Sequence, residues 1–267
     1  MISFPNAKIN IGLNVVSKRN DGYHNLETIF YPVQLADGLE LAESNFTSFS
    51  SSGIEIDGKP ENNLVYKAHQ ILQNDFKLPP VIFHLHKAIP FGAGLGGGSS
   101  DAAFTLKMLN EYFNLKIPSA KIKFYAAQIG ADCPFFIENK PTFASGIGDR
   151  FQAINLDLSE FEILIVKPNI SVSTPDAYRD VIPAKPKFNL RDIENLPIEK
   201  WKDTIENDFE KSVFKKYPEI ENLKQNLYKM GALYASMSGS GSAVFGIFRH
   251  LPVDFKNFMP KNIFTYR

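Results

Sequence analysis

The amino-acid sequence predicts an α+β protein. Segments with apolar residues at helical spacing and segments that alternate with a period of two both recur along the chain. Their order does not repeat strand, helix, strand, so a wholly parallel, doubly wound sheet is not expected. With 267 residues, 44% of them hydrophobic and 22% charged, the chain can bury a substantial core in one large domain or two small ones.

Residues 2–16 alternate as a strand, interrupted by the polar side chains of Asn6, Lys8, Asn10 and Asn14. Asp21-Gly22 is a turn signal, and strands are expected over 26–34 and 38–42. In 63–76, Val65, Ala68, Ile71, Leu72 and Phe76 fall on one helical face. Residues 80–89 alternate as a strand, and 99–114 form a helix with Ala102, Ala103, Leu106, Leu109 and Phe113 on one side. A second helix over 118–130 has Pro118 near its start and Gly130 as its stop. Residues 161–168 read as an apolar strand ended by Pro168, and the Pro/Lys-rich stretch 182–188 as a surface loop. A helix over 218–231 closes at Gly231; two strands, 232–237 and 242–248, then flank SGSGS at 238–242. A division near residue 155 is expected, giving domains 1–155 and 156–267.

Lys+Arg and Asp+Glu both number 29, so no global charge recruits nucleic acid or an anionic membrane. The single cysteine, Cys133, rules out a disulfide framework and points to a reducing compartment. The N-terminus carries no basic stretch followed by an apolar one, and no run of about 18 apolar residues would span a membrane. A cytoplasmic protein is expected, as a monomer or weak homodimer.

The stretch PFGAGLGGGSSDAA (90–103) concentrates chemistry. Gly92, Gly94, Gly96, Gly97 and Gly98 fill five of seven positions ahead of Ser99 and Ser100 at a helix start. Glycine loses more freedom on folding than any other residue, so the cluster needs a reason. A helix N-terminus offers unpaired N–H groups and the positive end of a dipole, and glycines let the backbone approach phosphate oxygens. A Walker A loop would need a lysine before Ser99, which is absent. Gly92, Gly94 and Gly97 match G-x-G-x-x-G, but a second helix rather than a strand follows, so the dinucleotide context is missing. A plain loop with a serine N-cap would explain Ser99 but not five glycines. A phosphate cradle of another architecture remains.

At these residues the sequence resembles the GHMP kinase superfamily, whose central motif is of the type P-x-x-x-G-L-G-S/G-S-S-A. FPNAKINIGLNV (4–15) is similar to the family's first motif and ASMSGSGSAVFGIF (235–248) to its third, in family order across the chain. KRNDGYHNLETIF (18–30), GLGGGSSDAA (94–103) and GADCPFF (130–136) resemble the branch that acts on 4-diphosphocytidyl-2-C-methyl-D-erythritol, the CDP-methylerythritol of non-mevalonate isoprenoid synthesis. The resemblance implies a ribosomal-protein-S5-like N-terminal ATP-binding domain, a ferredoxin-like C-terminal domain and ATP-dependent phosphorylation of the 2-hydroxyl of the methylerythritol part.

It also implies roles. Asp132 would accept or orient the acceptor proton, and Lys8 would hold Asp132 ionised and neutralise charge on the transferred group. Cys133 beside it, with no activating partner in sequence, reads as a small buried residue. Tyr23 and His24 would recognise cytosine, with Tyr178 on the other face of the base where relatives often carry phenylalanine. Asn10 would bind the acceptor near the transfer point. ATP would be held by Pro90, Gly92, Gly94, Leu95, Gly96, Gly97, Gly98, Ser99 and Ser100. Asn63 either caps the helix after it or also touches adenine. Mg²⁺ would arrive with ATP, with Ser99 a candidate ligand. Asp101 suits the helix dipole. Ser238 and Gly239, in the 238–241 loop, would close over the second motif and the substrate. His84 and His86 share a strand face but lack a third metal ligand, so they read as surface histidines. Two rivals stand beside this: a GHMP kinase for another small alcohol, and a non-catalytic nucleotide- or sugar-binding protein that kept the fold.

Overall fold

A computed structural model describes residues 1–261 and 263–267. The chain runs β1 (Ile2–Ser3), β2 (Asn6–Lys18), β3 (His24–Ala36), β4 (Gly38–Glu43), β5 (Ser48–Gly53), α1 (Leu64–Phe76), β6 (Val81–Lys87), α2 (Gly97–Tyr112), α3 (Ser119–Ile129) and α4 (Phe135–Glu138). It continues β7 (Thr142–Gly146), β8 (Arg150–Ala153), β9 (Glu162–Lys167), α5 (Thr174–Tyr178), α6 (Trp201–Thr204), α7 (Glu210–Lys216), α8 (Pro218–Lys229), β10 (Tyr234–Met237), β11 (Val244–Phe248) and β12 (Phe264–Tyr266). Three four-stranded sheets result, ordered β1-β4-β6-β5, β2-β3-β7-β8 and β10-β11-β9-β12. β4 runs antiparallel to β1 and β6, β7 to β3 and β8, β11 to β10 and β9, and β12 to β9, whereas β5 runs parallel to β6. This is the expected mixture of strands and helices without a βαβ repeat.

Two compact units divide the chain, each built from three stretches: 1–8, 32–91 and 96–140 in one, 9–31, 92–95 and 141–267 in the other. The first packs α1, α2 and α3 on the β1-β4-β6-β5 sheet. Leu39, Leu41, Phe83 and Leu85 from strands meet Val65, Leu72, Leu106 and Leu109 from helices. The second packs α7 and α8 on the β10-β11-β9-β12 sheet, where Ile220, Leu223 and Leu227 meet Leu164, Val166, Ala235 and Val244.

Several sequence expectations need adjusting. The single strand over 2–16 is two, because Pro5 offers no N–H and the chain changes partner there: β1 pairs with β4, while β2 joins another sheet. α3 does stop at Gly130, yet that glycine is extended (φ −176°) rather than left-handed. α8 closes as expected, with Gly231 at φ +93°. β5, SFSSSG, had no strand signal; parallel pairing with β6 holds it, helped by Ser50 and Ser52 hydroxyls bonded to the rings of His84 and His86. β7 and β8 were also unread, since each is short and they turn at Gly146-Ile147-Gly148.

One polar cluster lies inside the first unit. The Lys87 ammonium, almost wholly buried, pairs with Asp37 and, at 2.8 Å, with Asp101 of α2. The other Asp37 oxygen accepts from the backbone amides of Ala88 (2.6 Å) and Ile89 (2.8 Å). The cluster therefore fixes the chain immediately before the glycine loop and, through Asp101, the helix after it. Asp101 is not a first-turn acid serving the dipole, because the helix begins at Gly97; it is an ion-pair partner. Desolvation pushes its carboxyl up to about 8, against the pull of Lys87 and helped by Asp37.

His69 of α1 is fully buried beside Phe83, and neither ring nitrogen has a partner among the described residues. Desolvation lowers its pKa.

Removing one member of a buried ion cluster costs about 3–5 kcal/mol. Asp37→Ala is accordingly expected to lower the unfolding free energy by about that much in denaturant titrations. His69, with a folded pKa below the unfolded value, stabilises fully above about pH 6.5 and loses that contribution as pH falls. The parent should therefore lose more stability between pH 8 and pH 5.5 than His69→Leu does, read as the difference in urea midpoints.

Candidate active site

The glycine cluster is dictated by close approach as much as by flexibility. A Cβ on Gly94, which has φ +72°, would sit 1.9 Å from the carbonyl oxygen of Ser238. A Cβ on Gly97 would lie 2.8 Å from Ile89 Cγ2 and 3.0 Å from the Lys87 ammonium. α2 consequently starts at Gly97, two residues before the Ser99 start read from sequence, and Gly96 rather than a serine is its N-cap. The first intrahelical bond runs from Ser100 N to Gly96 O (2.9 Å). The amides before it belong to the turn whose donors a helix leaves for a ligand. Ser99 is half-buried in this turn, while Ser100 is fully buried and its hydroxyl has no partner among the described residues. Pro90 is half-buried and Leu95 is in the core.

Lys8 projects from β2 with 4% of its surface exposed, and its stem runs against the loop: a Cβ on Gly96 would meet Lys8 Cε at 3.1 Å. Its ammonium lies 3.6 Å from Asp132 Oδ2, an ion pair slightly longer than a hydrogen bond. Burial lowers the Lys8 pKa and Asp132 opposes that shift. Asp132 occupies the turn between α3 and α4, with its side chain one-third exposed (33%). A buried cation and a reachable carboxylate thus stand together beside a loop of backbone amides. Neighbouring Cys133 is buried, and desolvation pushes its thiol up to about 12, so it is inert as expected.

Asn10 is also buried. Its backbone N–H donates to Ser238 Oγ (3.2 Å) and its side-chain amide to Thr28 Oγ1 (3.0 Å). Ser238 Oγ in turn donates to Gly94 O (2.8 Å). The Ser238 hydroxyl is therefore committed within the protein, and the third loop rests directly on Gly94. Gly239 continues the contact, since its Cβ would lie 3.3 Å from Asn10 Oδ1.

Tyr23 is 63% exposed in the turn before β3. The rings of His24 and Tyr178, the residues expected at the edge and face of one base, stack on each other, 4.8 Å apart and 24° from parallel. Tyr178 also packs on Phe209 at 4.7 Å in a near edge-to-face contact. One face of Tyr178 is thus covered by His24.

A cavity of about 360 Å³ opens in the first unit beside α2, walled by Phe49, Lys59, Asn63, Lys87, Phe91 and Asp101. The Asn63 Oδ1 caps α1 by accepting from Val65 N (2.9 Å), and the residue also lines the cavity. Lys87, Phe91 and Asp101 were missed as cavity residues. The one sequence signal for Lys87 was a lysine at the buried phase of a strand, and burial of a charge requires partners. Among the described residues no group of three His, Cys, Asp or Glu side chains could hold a metal ion. No helix among them is long and apolar enough to cross a membrane.

Comparison with known proteins places the chain in a family. The family pattern "GHMP kinases N terminal domain" matches residues 63–140, and "GHMP kinases C terminal" matches 190–262. The chain is 54% identical over 256 residues to a 4-diphosphocytidyl-2-C-methyl-D-erythritol kinase of Parabacteroides distasonis, covering 96% of this chain and 94% of the relative. It is 55% identical over 252 residues to the protein of the same name from Bacteroides fragilis, covering 93% and 92%. A solved structure of a 4-(cytidine 5'-diphospho)-2C-methyl-D-erythritol kinase superposes with a TM-score of 0.80 at 33% identity, over 92% of this chain and 90% of that one. With the glycine cradle and a lysine–aspartate pair beside it, these matches carry the α+β expectation to its conclusion: the chain belongs to the GHMP kinases and, within them, to the 4-diphosphocytidyl-2-C-methyl-D-erythritol kinase family.

Proposed function

We propose that this chain transfers the terminal phosphoryl group of ATP to the 2-hydroxyl of 4-diphosphocytidyl-2-C-methyl-D-erythritol, a step in non-mevalonate isoprenoid precursor synthesis. The observation that carries the chemistry is the ion pair of buried Lys8 with Asp132 beside Gly96. The acceptor is supported by relatives more than 50% identical over nearly the whole chain that bear that substrate in their names.

Phosphoryl transfer asks a protein mainly for positioning and charge stabilisation. The acceptor oxygen forms a bond to the terminal phosphorus, the bond to the bridging oxygen breaks, and ADP leaves. The hydroxyl proton passes to Asp132, which is exposed enough to reach it. Lys8 keeps Asp132 ionised and neutralises charge on the moving group. Asp132 thereby orients the hydroxyl and serves as its proton acceptor. The amides of Gly92, Gly94, Gly96, Gly97 and Gly98, with Pro90 and Leu95 shaping the loop and Ser99 and Ser100 at the helix start, cradle the phosphates. Asn63 and the cavity beside it take the nucleoside end. Mg²⁺ arriving with ATP would add charge neutralisation, with Ser99 its candidate protein ligand. Asn10, Ser238 and Gly239 border the acceptor, while Tyr23, His24 and Tyr178 take the cytosine. For Tyr178 to offer the face now covered by His24, that ring pair must separate. We take residues 1–155 as the ATP-binding part and 156–267 as the C-terminal part of a cytoplasmic monomer or weak homodimer.

A coupled ADP-release assay with the cytidylylated methylerythritol as acceptor tests the function directly; turnover only with unlinked alcohols would exclude this acceptor. Asp132→Ala should lower kcat by at least about 100-fold, the scale of a lost general base, while ATP still binds in calorimetry. Tyr23→Ala should raise KM for the acceptor about tenfold or more, as loss of one base-stacking ring does, and leave KM for ATP unchanged. An effect on ATP alone would remove the cytosine assignment.

A further inference from the structure

Residues 206–210, Glu-Asn-Asp-Phe-Glu, form a short bracket leading into α7 that no sequence motif singled out. Its bonds run in two directions. Toward β2, Leu13 N donates to Glu206 O (2.9 Å), Asp208 N donates to Leu13 O (2.8 Å), and Asp208 Oδ2 accepts from Val15 N (2.7 Å). Toward the third glycine loop, the Asn207 carboxamide donates to Met237 O (2.8 Å) and to Gly239 O (2.9 Å). Asn207 Oδ1 accepts from Phe209 N (3.0 Å), so every hydrogen-bonding group of this buried side chain has geometry-fixed work. Glu210 Oε1 accepts from Met237 N (2.8 Å) and from Ser236 Oγ (3.1 Å), and Lys224 neutralises its other oxygen at 2.6 Å.

The two carbonyls that Asn207 grips flank Ser238. Ser238 is the residue whose hydroxyl joins Gly94 O to Asn10 N. Gly239, held by its carbonyl, has φ +56°, and the loop further bonds Ser242 N to Gly92 O (3.2 Å) and Ala243 N to Ala93 O (3.2 Å). A glycine loop has little intrinsic preference for one conformation. Something outside it must select the conformation that sets Ser238 on the phosphate loop. Asn207 is the side chain that bonds to both of its neighbours.

We propose that Asn207 is a positioning residue for phosphoryl transfer: by clamping the carbonyls of Met237 and Gly239 it locks the third glycine loop onto Gly94 and Asn10, with Glu210 as the brace behind it. We build this on the phosphotransferase function proposed above. Asn207 touches neither substrate nor the transferred group; it acts through Ser238. Misplacement of a catalytic loop by about 1 Å costs about 100-fold in rate.

The test uses the full-length chain and two variants. Asn207→Ala is expected to lower kcat about 100-fold, with the Kd for ATP within about threefold of the parent. Amide hydrogen exchange over 238–243 should be faster in that variant. A folded Asn207→Ala with kcat within threefold of the parent, or with unchanged exchange over 238–243, overturns the proposal. Asn207→Asp keeps the shape but turns an oxygen toward two carbonyls, so burial and repulsion raise its pKa, and protonation restores one donor. Its activity relative to the parent should rise as pH is lowered from about 9 to about 6. If Asn207→Ala does not fold, this profile decides, and a flat ratio overturns the proposal. If the parent itself fails to phosphorylate the cytidylylated acceptor, the proposed function fails, and the exchange comparison alone then decides the role of Asn207 in holding the loop.

Discussion

The buried ammonium of Lys87, shared by Asp37 and Asp101, is the interaction on which the glycine loop depends. Glycine-rich segments do not order themselves, so their ends must be fixed by something else. Here one end is fixed where Asp37 accepts from the amides of Ala88 and Ile89, and the other where Asp101 ties α2 to the same ammonium. Two ionised carboxylates around one ammonium would leave an excess negative charge in a desolvated place. The cost appears in the raised pKa of Asp101, whose Oδ1 has no partner among the described residues. Such a cluster is a poor source of net stability compared with packed apolar side chains; what it provides is a defined geometry.

The glycines then have two separate reasons. Gly94 and Gly97 are required by contact: carbonyl Ser238 O lies where the first side chain would start, and Ile89 with Lys87 where the second would. That packing also sets the start of α2 at Gly97, and the first turn of a helix is where an anion finds backbone donors. Lys8 adds a full positive charge against Gly96, with Asp132 next to it. Burial disfavours its ammonium and Asp132 favours it, so the neighbouring carboxylate supports the charge on Lys8.

The aromatic group at His24 and Tyr178 follows a different rule. Flat rings that would stack on a base are equally able to stack on one another, and they do so here. Under the proposed function this ring–ring contact is exchanged for a ring–base contact, so the apolar contact is kept in both circumstances.

The sequence by itself determined the α+β class, most helices and the sheet-forming runs, because amphipathic periodicity is a local property. It also determined the chemistry on offer, since five glycines before a helix, Lys8 in a first motif and Asp132 in a turn are visible as residue types in order. It did not determine where α2 starts: serine outranks glycine as a helix residue, and only the closeness of Ile89 and Lys87 reverses that choice. It could not reveal β5, whose serines become a strand through a parallel neighbour. Nor could it reveal the roles of Asp37, Asp101 and Asn207, ordinary polar residues whose partners lie 50, 14 and 30 to 32 positions away. Composition and spacing report what a segment can do alone; which polar groups must satisfy one another once water is excluded is decided only when the chain has folded.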